Sequence, residues 1–241
     1  MSTIPQASCA NLLLRALSAD DFALLTPHLE RVELQVGAVV VEADKPVDRV
    51  HFPESGVVSV VTDQEAGDAV EYGLFGLEGM SGMPVVLGAG QTPHRSFVQV
   101  GIVRSVHLAS DALTDACRRS ETLRELLLRY VHTLIVQTAA TASANAHYAL
   151  PERLARWLLM CHDRIDGDRL ELTHQFMAQM LAVRRSGVTT TLHTLEATGA
   201  IRSTRGLVTI VDRARLAEIA GESYGSPERE YARLIAPFGK G

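Results

Sequence analysis

The chain is poor in the residues that mark several large functional classes. Among 241 residues there are three cysteines, Cys9, Cys117 and Cys161. Their odd number and wide spacing weigh against a disulfide framework and against any C-x-x-C metal or redox motif, and a reducing cytoplasm suits them. No apolar run approaches the roughly 20 residues of a membrane-spanning helix. The start, Met1-Ser-Thr-Ile-Pro-Gln, lacks the basic head and apolar block of a secretory signal. The nine histidines form no H-x-H pair, so the metal chemistry that jelly-roll enzymes use is not expected. H-E-x-x-H, G-x-S-x-G and the phosphate-binding G-x-x-x-x-G-K-[ST] are missing too. Neither an enzyme nor a metal site is expected.

Positive charge is also scarce, with a formal net charge of −5, which looks wrong for a protein that meets nucleic acid. The deficit is local. Through Ala149 the chain carries 10 Lys/Arg against 17 Asp/Glu, and from Leu150 onward 13 against 11. Only the second part could approach a phosphate backbone, where placed arginines matter more than net charge.

What is present divides into three textures. After two short amphipathic segments, Asn11 to Ala16 and Asp20 to Leu29, with Ser18 as a cap, the chain becomes a series of Val- and Ile-rich runs. They begin at Val32, Val39, Val50, Val57, Ala69, Phe97 and Ile102, with Gly37, Gly56, Gly67, Gly73, Gly76 and Gly88 between them. Short strands at close spacing predict an antiparallel sandwich or jelly roll. From Ser110 helix formers take over. Ser120 caps a helix of nearly 30 residues, in which Leu123, Leu127, Tyr130 and Leu134 recur at spacings of four and three. Such a stripe either forms a seam between two copies or covers the chain's own β-domain. Pro151 then opens a new helix and a small α/β module follows.

Inside that module, Thr173 is an N-cap residue ahead of Phe176, Met177, Met180 and Leu181, with the small Ala178 suiting close helix approach. Val183 ends this helix. Arg184-Arg-Ser-Gly opens a second, whose Val188, Leu192 and Leu195 form the buried side and whose Arg184, Arg185, Ser186, Thr189, Thr190 and His193 are left outside. Gly199 suits the position after the helix end. Two strands then turn at Thr204-Arg-Gly, placing Arg202 and Arg205 on a wing. Two paired helices with polar outer residues and a basic wing predict a winged helix-turn-helix, with Thr173, Arg184, Arg185, Ser186, Thr189, Thr190, Arg202 and Arg205 facing double-stranded DNA.

Leu172-Thr-His-Gln-Phe-Met-Ala-Gln-Met-Leu-Ala-Val-Arg-Arg-Ser-Gly-Val-Thr, followed by Leu195-Glu-Ala-Thr-Gly-Ala-Ile, resembles the helix-turn-helix of the Crp/Fnr (cyclic-AMP receptor protein) superfamily of bacterial transcriptional regulators. The resemblance covers about Leu12 to Ile219. It implies an α+β chain with an antiparallel jelly-roll sensor resembling a cyclic-nucleotide-binding domain (1–119), a dimerisation helix and hinge (120–149) and a winged helix-turn-helix DNA-binding domain (150–241). It further implies a cytoplasmic homodimer on near-palindromic sites, with RNA polymerase as a further partner. Arg185 falls at the family's base-reading arginine, suited to bidentate contact with guanine. Ser186 stands where many members carry a base-reading glutamate.

In the sensor, the resemblance places the effector cassette at Gly79 to Leu87, with His94-Arg-Ser beyond it, so that Gly82, Met83, Arg95 and Ser96 are the candidate contacts. Arg95 and Ser96 match the phosphate-holding pair. Met83 takes the place of the ribose-binding carboxylate, and Pro84 removes an amide donor. Cyclic nucleotide is therefore disfavoured, leaving another small ligand or a purely structural pocket, and no cofactor is expected. Cys9 alone does not make the cysteine cluster of iron–sulfur members. A small-ligand-binding or scaffolding protein without DNA binding is the alternative reading.

Overall fold

The computed structural model describes residues 4–63 and 69–240; Gly67, expected at a turn, lies outside them. Asn11 caps α1 (Leu12–Ala16) by accepting the amides of Leu13 and Leu14, and Ser18 caps α2 (Ala19–Leu25) by accepting that of Asp21. The strands follow as β1 (Glu30–Leu34), β2 (Val39–Val41), β3 (Arg49–Pro53), β4 (Val57–Asp63) and β5 (Ala69–Phe75). After the one-turn helix α3 (Met83–Val86) come β6 (Arg95–Val100) and β7 (Val103–Ala109). They make two antiparallel sheets, β1-β7-β3 and β2-β6-β4-β5. Val58, Phe75, Val98 and Val103 fill the space between the sheets. On the opposite face of the first sheet, Val50, Phe52, Val106 and Leu108 pack beneath the N-terminal helices and the two helices that follow. The alternation within β3 and β7 produces both cores.

α4 (Ser110–Arg119) starts one residue earlier than a Ser110 cap would place it: Ala109 is the cap position, and the Ser110 hydroxyl turns away to donate to the Val47 carbonyl. α5 (Glu121–His147) is capped by Ser120, whose hydroxyl accepts the Leu123 amide. Its 27 residues make a rod of about 40 Å. Leu123, Leu127 and Tyr130 are buried in the chain's own core beside α1, α2 and α4, and Leu134 packs partly against the same cluster. Tyr130 donates to the Met80 carbonyl, and Gln137 accepts the Leu74 amide. Of the two possibilities open for this stripe, this fold takes the second: it covers the β-domain.

The remaining elements are α6 (Leu150–His162), β8 (Arg169–Leu170), α7 (His174–Met180), α8 (Arg185–Ala197), β9 (Ile201–Thr204), β10 (Leu207–Ile210), α9 (Arg213–Ala220) and α10 (Ser226–Leu234). Glu152 accepts the Ala149 amide at 2.7 Å and Pro151 lies in the first turn, so α6 starts sharply after α5 ends. β8, β10 and β9 form a three-stranded antiparallel sheet.

The helical module does not stand apart from the sensor. A single apolar cluster joins Val57, Val61, Leu74 and Val100 of the second sheet to Leu154, Trp157 and Leu158 of α6 and on to Met177 and Leu195. Within this junction Arg164, just past α6, is fully buried. Its Nε and Nη2 both reach Glu78 Oε1, at 2.9 and 2.7 Å, and Nη1 donates to the Met160 carbonyl. Glu78 Oε2 accepts the Gly76 amide, and the Glu78 carbonyl accepts the Tyr231 hydroxyl of α10. A Cβ on Gly76 would lie 2.7 Å from the Gly56 carbonyl and 3.0 Å from Arg164, so only glycine lets these segments meet. Asp163 next door accepts from Arg213 and from Tyr224, fastening α9 and the C-terminal segment to the end of α6.

Glu71 lies in the same junction, bonded to Ser59 and to the Trp157 indole N–H (2.7 Å). Burial pushes its carboxyl up to about 7, against the opposing effect of those hydrogen bonds. A carboxyl raised on folding contributes stability that is fully present below its unfolded value of 4.5 and is lost as pH rises through about 7. Denaturant unfolding is therefore expected to show stability falling by up to about 3 kcal/mol across that window. Glu71→Gln should flatten the dependence, and an equally steep decline in the variant would show that another group is responsible.

Candidate nucleic-acid interface

Thr173 caps α7 by accepting the Phe176 amide, so its hydroxyl is engaged by the helix even though the residue is exposed. The turn to α8 closes at Ala182, which adopts φ of +52°, a left-handed conformation that ends a helix abruptly. Arg184 holds the cap position of α8 without a capping side chain. From there α8 buries Val188, Thr191, Leu192 and Leu195. Its N-terminal turn leans on α6 closely enough that a Cβ on Gly187 would lie 3.3 Å from Leu150.

This packing decides what faces outward. Arg184, Arg185, Ser186 and Thr190 are exposed, and Thr189 is half-buried. The hydroxyls of Thr189 and Thr190 bond back to the carbonyls of Arg185 and Ser186, one turn earlier. Thr189 also meets His174 of α7, with 2.9 Å between its hydroxyl oxygen and Nδ1. His174 was not among the residues singled out from sequence. Its place beside Thr189 depends on how α7 crosses α8, which no spacing within either helix reveals.

The wing is a β9–β10 hairpin in which Thr204 pairs with Leu207 around Arg205-Gly206, with Gly206 at φ of +76°. Arg202 and Arg205 are exposed on it. Glu196 of α8 accepts the Ser203 amide and ties the hairpin to the end of that helix. Arg184, Arg185, Arg202 and Arg205 make no ion pair with any described residue. Phe176 packs against the apolar cluster that includes the helix-turn-helix core and also meets Phe97 of the sensor sheet edge-on, with ring centroids 6.3 Å apart. One helix of the pair thus touches the sensor directly.

The effector cassette assembles differently from the expectation. Met83, Pro84 and Ser96 line a cavity inside the jelly roll together with Tyr72, Met80, His94 and others, but its volume is only about 30 Å³. Arg95 is not at this cavity. Neighbouring residues of a strand point to opposite faces, and Arg95 lies on the outer face of its sheet, over the Phe97 ring at 5.1 Å. Gly82 is required by packing, since a Cβ there would lie 2.7 Å from Val50. Met83 and Ser96 therefore meet at the cavity, Arg95 lies on the other face of the β6 sheet and Gly82 packs on Val50 of the first sheet, and the cavity is far below the roughly 300 Å³ of a small-molecule pocket.

A jelly roll, a long helix and a winged helix-turn-helix with unpaired arginines follow one another along the chain. Comparison with known proteins makes this particular. Residues 152–219 match the Crp-like helix-turn-helix domain. The global nitrogen regulator of Synechocystis sp. is 27% identical over 182 residues, covering 72% of this chain and 80% of that protein. FixK2 from Bradyrhizobium japonicum superposes with a TM-score of 0.68 at 14% identity, over 80% of this chain and 98% of that one. A Crp/Fnr-family regulator from Eubacterium rectale gives 0.67 at 16% identity, over 86% and 97%. The chain carries the Crp/Fnr-type transcriptional-regulator fold and, at 152–219, its helix-turn-helix domain. Among the described residues no helix is long and apolar enough to cross a membrane.

With the jelly-roll cavity this small, calorimetry with cyclic AMP is expected to give no binding heat at micromolar concentrations. A saturable heat in that range would mean that the cavity opens and that Arg95 can reach it.

Proposed function

We propose that this chain is a cytoplasmic, homodimeric transcription regulator that reads near-palindromic DNA and acts through RNA polymerase, with its parts divided near residues 119 and 149. The observation that carries this reading is the row of exposed, unpaired arginines at the start of α8 and on the wing, within a domain of the Crp-like type. Arg185 is the base-reading residue, since a guanidinium fork matches guanine O6 and N7. Arg184, Arg202, Arg205 and Thr173 hold phosphates and set the register, with Ser186, Thr189 and Thr190 on the same DNA-facing side.

The opposite side of α5 supports a seam between copies. Leu128, His132, Ile135, Ala139, Ala142 and Ala146 recur at spacings of four and three, and all are exposed, Ile135 by 60%. An apolar residue so exposed on a long helix suits a seam of heptad type. The small residues toward the C-terminal end allow two helices to come close where they lead into the DNA-binding domains. A parallel pair would present two recognition helices about one DNA turn apart.

Selection of sites from random duplex DNA is the direct test, and it should return a sequence with two related halves. Arg185→Ala should then weaken binding to the selected site by about 1–3 kcal/mol and relax one base preference per half. Unchanged affinity and preference would remove Arg185 from the reading. Recovery of no sequence would favour a ligand-binding or scaffolding role instead. Separately, Ile135→Glu is expected to convert the dimer to monomer in sedimentation while Leu128 and Ile135 in the native chain sustain it; a variant that remains dimeric places the seam elsewhere.

A further inference from the structure

The end of the chain lies beyond residues 152–219, which match the helix-turn-helix domain, and it leaves the DNA-binding module and comes back to it. After α9 the chain enters α10, whose start is fixed by Glu228 accepting the Gly225 amide. α10 packs along α5. Its Tyr231 is buried in the cluster that holds Leu123, Leu127 and Tyr130 of α5 and Phe52 and Leu108 of the first sheet, and it donates to the Glu78 carbonyl at 2.7 Å. Phe238 then turns back. Its ring centroid is 5.3 Å from that of Tyr231 and 4.9 Å from the Arg164 guanidinium. The Lys240 amide donates to Asp163 Oδ1 at 3.1 Å, and the Lys240 carbonyl accepts from Arg213 Nε at 2.7 Å. Asp163 closes α6 and Arg213 opens α9. The segment is thus a strap, fastened to the module at both ends and to the sensor core in its middle.

The module needs such a fastening. α5 ends at His147 and α6 begins at Leu150, with Tyr148 and Ala149 extended between them. No helix continues across this break, so the backbone there can serve as a hinge. The cluster that joins α6, α7 and α8 to the second sheet holds one side of the module, with Phe97 against Phe176. A body held at one apolar surface can still rock about it. The strap ties the same module to a different core, the one around α5 and the first sheet, and attachment to two cores removes the rocking.

We propose that Tyr231 and Phe238 are positioning residues for DNA recognition, which through the strap fix how each module sits in the dimer and so set the half-site spacing that the protein accepts. The inference rests on the homodimeric DNA-binding reading above and adds to it a determinant of specificity that touches no DNA. One base pair added between two half-sites turns one relative to the other by about 35°. A dimer with fixed modules rejects that change, and one with rocking modules follows it. Rocking also weakens binding at the proper spacing, because the freedom is lost when both halves dock. Base preference inside each half belongs to α8 and does not depend on the strap.

The test uses the full chain, the site recovered by selection, and two further duplexes with one base pair added or removed between its halves, all followed by fluorescence anisotropy. The native chain is expected to bind the altered spacings roughly tenfold more weakly. Phe238→Ala should bind the selected spacing about three- to tenfold more weakly and separate the three spacings by less than about threefold. A base change inside one half should cost this variant the same factor as it costs the native chain. Phe238→Tyr, which keeps the ring, should behave as the native chain does. Tyr231→Phe loses only the hydroxyl bond to Glu78 and should fall between the two, so it carries the test if circular dichroism shows Phe238→Ala unfolded. Variants that keep the native discrimination between spacings overturn the inference, as does a loss of base preference in step with the loss of spacing preference. If selection recovers no site, or sites without two halves, the reading beneath falls instead, a result distinct from a two-halved site whose spacing the strap does not govern.

Discussion

Arg164 and Glu78 meet where three parts of the molecule converge: the end of α6, the loop that leads from β5 to α3, and the C-terminal helix α10. A charge removed from water costs several kcal/mol, and the cost is offset only when a partner and further hydrogen bonds are in place. Both groups satisfy that condition. Arg164 has the carboxylate and the Met160 carbonyl, with the Phe238 ring below its guanidinium at 4.9 Å, and Glu78 has the Gly76 amide. The pair therefore acts as a constraint on position. Moving the DNA-binding module away from the sensor would leave each charge buried alone or would have to carry both back into water.

Several features follow from that constraint. Gly76 must be glycine because Arg164 passes over it. α10 lies along α5 because Tyr231 reaches the Glu78 carbonyl and Glu230 reaches His132. The apolar cluster can run without a break from the second sheet into the helix-turn-helix because the pair beside it fixes the approach. The loop that holds Glu78 continues directly into α3, the segment where the family resemblance places effector recognition. A displacement of that segment would thus bear first on Arg164 and so on the orientation of α6 and the helices packed against it. The aromatic contact from Phe97 to Phe176 gives a second point at which the sensor sheet touches the helix pair.

Much of the architecture was legible in the order of residue types. The Val- and Ile-rich runs became β1 to β7 with small shifts at their ends, and Ser18, Ser120 and Thr173 cap the helices they precede. The helix-turn-helix was legible because its buried residues repeat at helical spacing and its outward ones are basic or hydroxylated. Less legible was the side of α5 that a partner would use. Leu123, Leu127 and Tyr130 form the stronger apolar stripe, yet strength of pattern does not say which surface a stripe covers, and α1, α2 and α4 were there to receive it. The cassette is dispersed for a related reason. Arg95 and Ser96 are adjacent in sequence, and a strand sends adjacent side chains to opposite faces.

By itself the sequence determined the elements, their order and the exposed arginines of α8 and the wing, because capping, hydrophobic period and turn chemistry act over a few residues. Tertiary structure alone decided the pairing of Arg164 with Glu78, 86 residues apart, the burial that raises the Glu71 carboxyl and the contact of His174 with Thr189. Each of these depends on burial or on the crossing of two separate elements. Desolvation and hydrogen-bond geometry are properties of the assembled interior, and no local spacing carries them.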